Sequence, residues 1–326
     1  MPGLYPVTFG EVELLRDLDR QDGWVLSKDG VPQSYVDLQD PTFLEFEYVR
    51  LMADVIDLLP DGPLSCVHVG GGACTIPRYV SATRAGSRHI VVEPDGLLVN
   101  LVREQLDLRS VPRLKVIVAG GREGTAKVWD ETADLVVLDA FTGATMPVEL
   151  ATAEYMGDLA RILRPGGTLL INLADGKGLA FAKRLLATVT GTFGHVALMA
   201  EPGIMRGRRF GNLIVAASRT ELPLELLSRR AAGGLTQARC VHGEALTNFI
   251  AAPSPCTHPG LREAARSPPG QQLQRELRPR RGHDQVAEAA APHDAGLGHQ
   301  ATCPNVRRHT WPAGAWRTPA PCRRPG

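Results

Sequence analysis

The sequence predicts a doubly wound α/β sheet preceded by a small antiparallel β unit. Three observations carry that expectation. From residue 64 onward, short apolar runs alternate with helical stretches. The runs are continuous rather than alternating, as at residues 135–138 and 168–171, which marks strands covered on both faces. The first 40 residues instead hold short extended pieces parted by Asp22-Gly23 and Asp29-Gly30, both hairpin-type turn signals.

In order, residues 12–15, 24–27 and 31–38 are expected to be strands of the small β unit, which spans 1–42. Asp40-Pro41-Thr42 opens a helix over 43–59, because Leu44, Tyr48, Leu51, Met52, Val55, Ile56 and Leu59 form one apolar stripe. Pro60-Asp61-Gly62-Pro63 stops it. A strand over 64–69 then runs into Gly70-Gly71-Gly72, with a helix over 75–83. A second strand over 89–92 ends at Glu93 and is followed by a helix over 96–108. The third strand covers 114–119 and leads into a ligand-facing loop, Gly120-Gly121-Arg122-Glu123; the fourth covers 134–138 and ends at Asp139. A helix over 148–163, a turn at Pro165-Gly166-Gly167, and a strand over 168–172 come next. A helix over 177–189 and strands over 195–200 and 212–217 complete the pattern.

Length and charge narrow the function. The 326 residues carry a formal net charge of +1, from 36 basic and 35 acidic side chains. That total conceals two unlike parts. Residues 253–326 contain 11 Arg, no Lys, 12 of the 25 Pro and only six Leu, Val, Ile, Phe or Met. Such a segment cannot offset the entropy of ordering itself, so it is expected to be disordered or out-of-frame basic tail. The body before it carries about −5, a balance with no pull towards nucleic acid or anionic membrane. No apolar run approaches the roughly 20 residues needed to span a bilayer. The N-terminus lacks the basic and apolar regions of a signal peptide. The six Cys form no CxxC pair, so no metal site or disulfide framework is expected and a cytoplasmic setting is.

In doubly wound sheets, ligands sit beyond the carboxyl ends of the strands. The missing side chains of Gly70-Gly71-Gly72 let backbone approach a ligand there, although the pattern is not the GxGxxG of dinucleotide sites. Glu93, one βαβ step later, has the chemistry to bind the two hydroxyls of a ribose. Asp139, at the mouth of the fourth strand, can act as general base or bind an amine. Residues 43–252 therefore read as a Rossmann-like nucleoside-binding catalytic domain. Each of these groups also has a structural reading: a tight turn, a solvated strand-end charge, and an Asp capping its own loop.

Residues 29–35 (Asp-Gly-Val-Pro-Gln-Ser-Tyr), Gly70-Gly71-Gly72, Glu93-Pro94-Asp95 and Asp134…Asp139, with Pro147 and Tyr155, resemble the spermidine synthase (polyamine aminopropyltransferase) family over about residues 10–220. The resemblance implies a class I S-adenosylmethionine-type sheet. It implies transfer of an aminopropyl group from decarboxylated S-adenosylmethionine to an amine such as putrescine, with no metal and as a homodimer. By the same resemblance, Asp139 and Tyr155 are catalytic. Gln33, Gly70, Gly71, Gly72, Glu93 and Gly120 bind the nucleoside donor. Three family acids are replaced. Ala73-Cys74 stands for Asp-Gly after the glycine turn, Gly120 for an Asp after the third strand, and Thr142 for a second Asp beyond Asp139. Two other readings remain open at this point: an S-adenosylmethionine-dependent methyltransferase, and a non-catalytic nucleoside-binding scaffold.

Overall fold

The computed structural model describes residues 1–143, 145–234 and 237–251, so the expected tail lies outside the described residues. Two sheets are present. The first is a four-stranded antiparallel meander of β1 (Gly3–Val7), β2 (Gly10–Arg16), β3 (Gly23–Lys28) and β4 (Val31–Asp37). Its strand β1 is absent from the sequence expectation, because Pro6 and the flanking glycines mask so short a run. This sheet buries Leu14, Trp24, Leu26 and Val36 against the helix α3 (Gly96–Gln105).

The second sheet has eight strands. Five are parallel: β5 (Ser65–Val69), β6 (Arg88–Glu93), β7 (Leu114–Val118), β8 (Ala133–Leu138) and β9 (Leu163–Asp175). Three antiparallel strands extend it: β10 (His195–Ala200), β11 (Gly211–Ser218) and β12 (Arg239–His242). The spatial order is β12-β10-β11-β9-β8-β5-β6-β7, so chain order reverses between β5 and β8, and a ligand crevice is expected there.

Helices cover both faces, which explains the continuous apolar strands. Leu135 and Val137 of β8 pack on one side with α1 (Glu47–Asp57) and α2 (Thr75–Thr83). Val136 and Leu138 pack on the other with α5 (Ala153–Ile162) and α6 (Ala180–Thr192). All four are buried, and full burial of such a side chain contributes about 1.5–3 kcal/mol.

Several boundaries differ from expectation. Helix α1 begins only at Glu47, since Phe46 is extended and offers no side chain to cap the free amides. Residues 148–163 divide into a short 3₁₀ turn (Val148–Leu150) and α5, whose amides are capped by Thr152. The Pro165-Gly166-Gly167 turn is instead absorbed into β9, at an irregularity in its pairing with β8. The loop expected over residues 120–123 instead opens the short helix α4 (Gly121–Ala126), because Gly120 is extended and its carbonyl accepts from Gly124. The short helix α7 (Pro202–Met205) joins β10 to β11, and beyond β11 come helices α8 (Leu224–Gly233) and α9 (Gly243–Ile250) and the edge strand β12. No helix among the described residues is long and apolar enough to cross a membrane.

Candidate active site

The glycine turn and Asp139 meet at the strand-order reversal. The Asp139 amide donates to the Val69 carbonyl (2.9 Å), and the Gly70 amide to the Val92 carbonyl (2.9 Å). Gly70 has φ +98°, and a Cβ there would collide with the Asp139 carbonyl. Only glycine satisfies both the left-handed backbone and the close approach.

Glu93 lies in the same place. Its Oε2 accepts from the Gly71 amide (2.8 Å) and its Oε1 from the Asp95 amide (3.0 Å). Burial pushes its carboxyl above the usual range, while the Asp95 and Gly71 amides pull it back. Each oxygen keeps a further lone pair for a hydroxyl donor. Asp95 caps α3 through Leu98 (2.9 Å) and accepts from the amides of Thr8 and Phe9 (3.0 and 3.2 Å). It thereby ties the β1–β2 turn to the large sheet.

Asp139 is partly exposed at the mouth of β8. Burial pushes its carboxyl up to about 6, and the hydrogen bond from Asn172 opposes that rise. Asn172 Nδ2 donates to Oδ1 (2.8 Å), and Asn212 Nδ2 donates in turn to Asn172 Oδ1 (3.0 Å). This relay across β8, β9 and β11 orients one carboxylate oxygen and leaves Oδ2 with no hydrogen bond among the described residues. Tyr48, at the start of α1, sits close enough for the Asp139 charge to raise its phenol further, beyond the larger effect of burial. Glu47 beside it is also raised by burial, against the attraction of Arg209 and Arg50.

The other sequence-predicted residues are placed as follows. Gly72 has φ +47° and touches Ser34, whose Oγ accepts from the Ala73 amide (3.2 Å). Gln33, next to Ser34, turns its amide back onto the Val31 carbonyl (3.2 Å), so Ser34 rather than Gln33 meets the glycine turn. Gly120 caps α4 with open space where its side chain would be. Tyr155 is not brought to the cleft surface. It is fully buried in the core beside α4, with its hydroxyl 3.0 Å from Thr125 Oγ1. Thr142 is exposed and closes a tight turn by donating its amide to the Thr145 carbonyl (2.8 Å). Cys74 adopts φ +60°, the left-handed region that favours glycine.

Ser34, Tyr48, Asn172 and Asn212 are the site residues that sequence reasoning missed. Tyr48 looks like part of a core stripe, and Asn172 is visible only as the polar end of an apolar strand. Ser34 enters the sequence only as part of the residue 29–35 segment, and Asn212 carries no local signal.

A glycine turn and two anchored carboxylates gathered at the strand-order reversal place the ligand end of this α/β sheet at the carboxyl ends of β5, β6 and β8. Comparison with known proteins identifies the class. No family model matches the chain. It is 34% identical to a probable spermidine synthase from Corynebacterium glutamicum of known structure, with a TM-score of 0.74 over 78% of this chain and 96% of that one. It is 26% identical over 178 residues to a polyamine aminopropyltransferase from Chromobacterium violaceum, covering 52% of this chain and 68% of that protein. Spermidine synthase from Thermotoga maritima, 16% identical with a TM-score of 0.53, shares the fold over 77% of this chain and 84% of its own. The chain belongs to the spermidine synthase family of aminopropyltransferase-like enzymes.

Proposed function

We propose that this protein transfers an aminopropyl group from decarboxylated S-adenosylmethionine to a small amine. The observation that carries the proposal is Asp139, held by Asn172 on one oxygen and set against the glycine turn. In this reading Gly70–Gly72 line the thioadenosine and Glu93 accepts from the ribose hydroxyls. Ser34 supports the turn from β4.

The amine nitrogen attacks the methylene beside the sulfonium as the carbon–sulfur bond breaks. The bonding pair stays on sulfur, giving neutral methylthioadenosine, and the displaced proton passes from nitrogen to Asp139. A carboxyl raised to about 6 is still largely ionised at neutral pH yet accepts that proton more readily than an ordinary Asp. Positioning does the remaining work, since displacement needs the amine in line with the leaving sulfur.

Ala73, Gly120 and Thr142 bear on the amine and adenine ends of the same cleft. Each missing carboxylate removes a charge-assisted contact of about 1.5–3 kcal/mol. The reading therefore includes a weaker grip on a diamine's far end than the family pattern provides. Tyr155 enters it only as a packing residue beneath α4. Homodimerisation, a cytoplasmic setting and independence of nucleic acid belong to the same reading. The division into a β unit over 1–42 and a catalytic domain over 43–252 also belongs to it. The sequence relatives favour aminopropyl over methyl transfer.

Incubation with either S-adenosylmethionine or its decarboxylated form, with putrescine and a series of amines, tests the proposal by mass spectrometry. Methylthioadenosine and an aminopropylated amine are expected from the decarboxylated donor alone. Methyl transfer from S-adenosylmethionine, or no product with any amine, would overturn it.

A further inference from the structure

Inside the large sheet, remote in sequence pattern from any metal motif, three ligating side chains converge. Cys66 and His68 lie two residues apart on β5 and so share one face. The pairing of β5 with β6 places His89 directly beside Cys66. One donor atom from each residue lies within 4.8 Å of the others, and all three residues are at most 2% exposed.

As hydrogen-bonding groups alone, these residues are poorly satisfied. His68 Nε2 faces His89 Nδ1 at 3.1 Å, a contact that holds a single proton. His68 Nδ1 is buried and has no hydrogen-bond partner among the described residues. Native interiors rarely leave such an atom unpaired, and a bound ion is one of the standard reasons for one. His89 Nε2 lies 3.0 Å from Ser81 Oγ, which fixes its ring with the other nitrogen towards His68. Metal-binding histidines almost always have their second nitrogen held in this way.

We propose that Cys66, His68 and His89 form a zinc(II) site that clamps β5 to β6. A thiolate and two imidazoles are the donor set that borderline-soft zinc prefers, and oxygen-seeking magnesium or calcium does not. Ligand atoms around tetrahedral zinc sit about 3.3–3.6 Å apart, given its usual bond lengths. The observed spread closes to that with side-chain shifts of under about 1 Å each. A neutral imidazole offers its lone pair without losing a proton, whereas the Cys66 thiol gives up its proton to solvent as the zinc–sulfur bond forms.

The site has a structural consequence. His68 precedes Gly70 by two residues and His89 precedes Glu93 by four. A metal joining them would fix the two strands from which the glycine turn and Glu93 emerge. This role does not depend on which reaction the crevice performs.

The test uses the full chain without a polyhistidine tag, expressed in zinc-supplemented medium. Elemental analysis is expected to give about one zinc per chain, and cobalt(II) exchange a thiolate-to-cobalt charge-transfer band. Zinc-edge X-ray absorption should return one sulfur, two imidazole nitrogens and one oxygen, from a water that completes the tetrahedron. Cys66→Ser and His89→Phe should lose the metal, whereas Cys74→Ser, Cys240→Ser and a triple Ser variant at Cys256, Cys303 and Cys322 should keep it. If the Cys66 and His89 variants fail to fold, the wild-type absorption spectrum decides by its sulfur-to-nitrogen count. Absence of stoichiometric zinc, a different ligand count, or zinc retained by folded Cys66→Ser would each overturn the proposal.

Discussion

The Glu93 carboxylate is held by backbone amides, whereas the Asp139 carboxylate is held by a side chain. The Gly71 and Asp95 amides hold Glu93, and backbone closeness to Asp139 dictates Gly70. Asp139 instead depends on Asn172 and Asn212, and the loop beyond it carries Thr142 where the family has an acid. Backbone contacts survive most substitutions, because they need only a fold and a few glycines. Side-chain contacts vanish with one codon. That difference separates Glu93, which rests on backbone, from Asp139, which rests on two asparagines.

The strongest way to separate the two carboxylates is Asp139→Asn. Aminopropyl transfer is expected to fall about 10²–10⁴-fold, the usual contribution of general acid–base catalysis. Calorimetric affinity for methylthioadenosine should stay within about threefold, since Glu93 and the glycine turn are untouched. Equal losses in both measurements would merge their roles.

The pH dependence of the same residue gives a second test. Burial raises Asp139 from 3.8 to about 6, so the folded chain holds this proton more tightly than the unfolded chain. Its contribution to stability is full below pH 3.8 and is lost as pH rises through about 6. Denaturant unfolding across that window should show a steeper decline for the wild type than for Asp139→Asn. Transfer activity should run the other way and fall as pH drops below about 6, because the protonated carboxyl cannot take the amine's proton.

On the donor side, Gly70→Ala should destabilise the fold by roughly 3 kcal/mol, combining left-handed strain with collision against backbone. Chemical denaturation measures it; a change under about 1 kcal/mol would mean that the turn relaxes. Glu93→Ala should weaken methylthioadenosine binding by about 10–100-fold, as loss of one charge-assisted contact predicts, with the turnover of bound donor much less affected. An unaltered calorimetric titration would remove Glu93 from the donor site. The smallest effect is expected on the acceptor side. Thr142→Asp should lower the KM for a diamine by up to about tenfold without changing donor affinity. No change would show that another group grips the far amine.

Much of this architecture is legible along the chain because it is local. Unbroken apolar runs such as those of β5 and β8 announce strands buried on both faces, and Gly70, Glu93 and Asp139 sit where those runs end. Tyr155 illustrates the limit. Its position along the chain places it near the amine end of the family site, yet packing beneath α4 gives its hydroxyl to Thr125. Gln33 and Ser34 are neighbours in sequence, but strand geometry presents only Ser34 to the glycine turn. The Pro165-Gly166-Gly167 run has turn composition, yet it lies inside β9, where the pairing with β8 passes from Leu163 to Thr168.

By itself, the sequence determined the succession of βα units, the early antiparallel meander, and the strand-end positions of the glycine turn and the two carboxylates. These follow from periodicity and turn chemistry within a few residues. The tertiary structure alone decided which polar groups meet. The Asp139–Asn172–Asn212 relay needs β8, β9 and β11 to lie side by side, and the Cys66–His68–His89 cluster needs the register of β5 on β6. Strand order and register are set by burial summed over the whole sheet, and no local stretch of sequence encodes them.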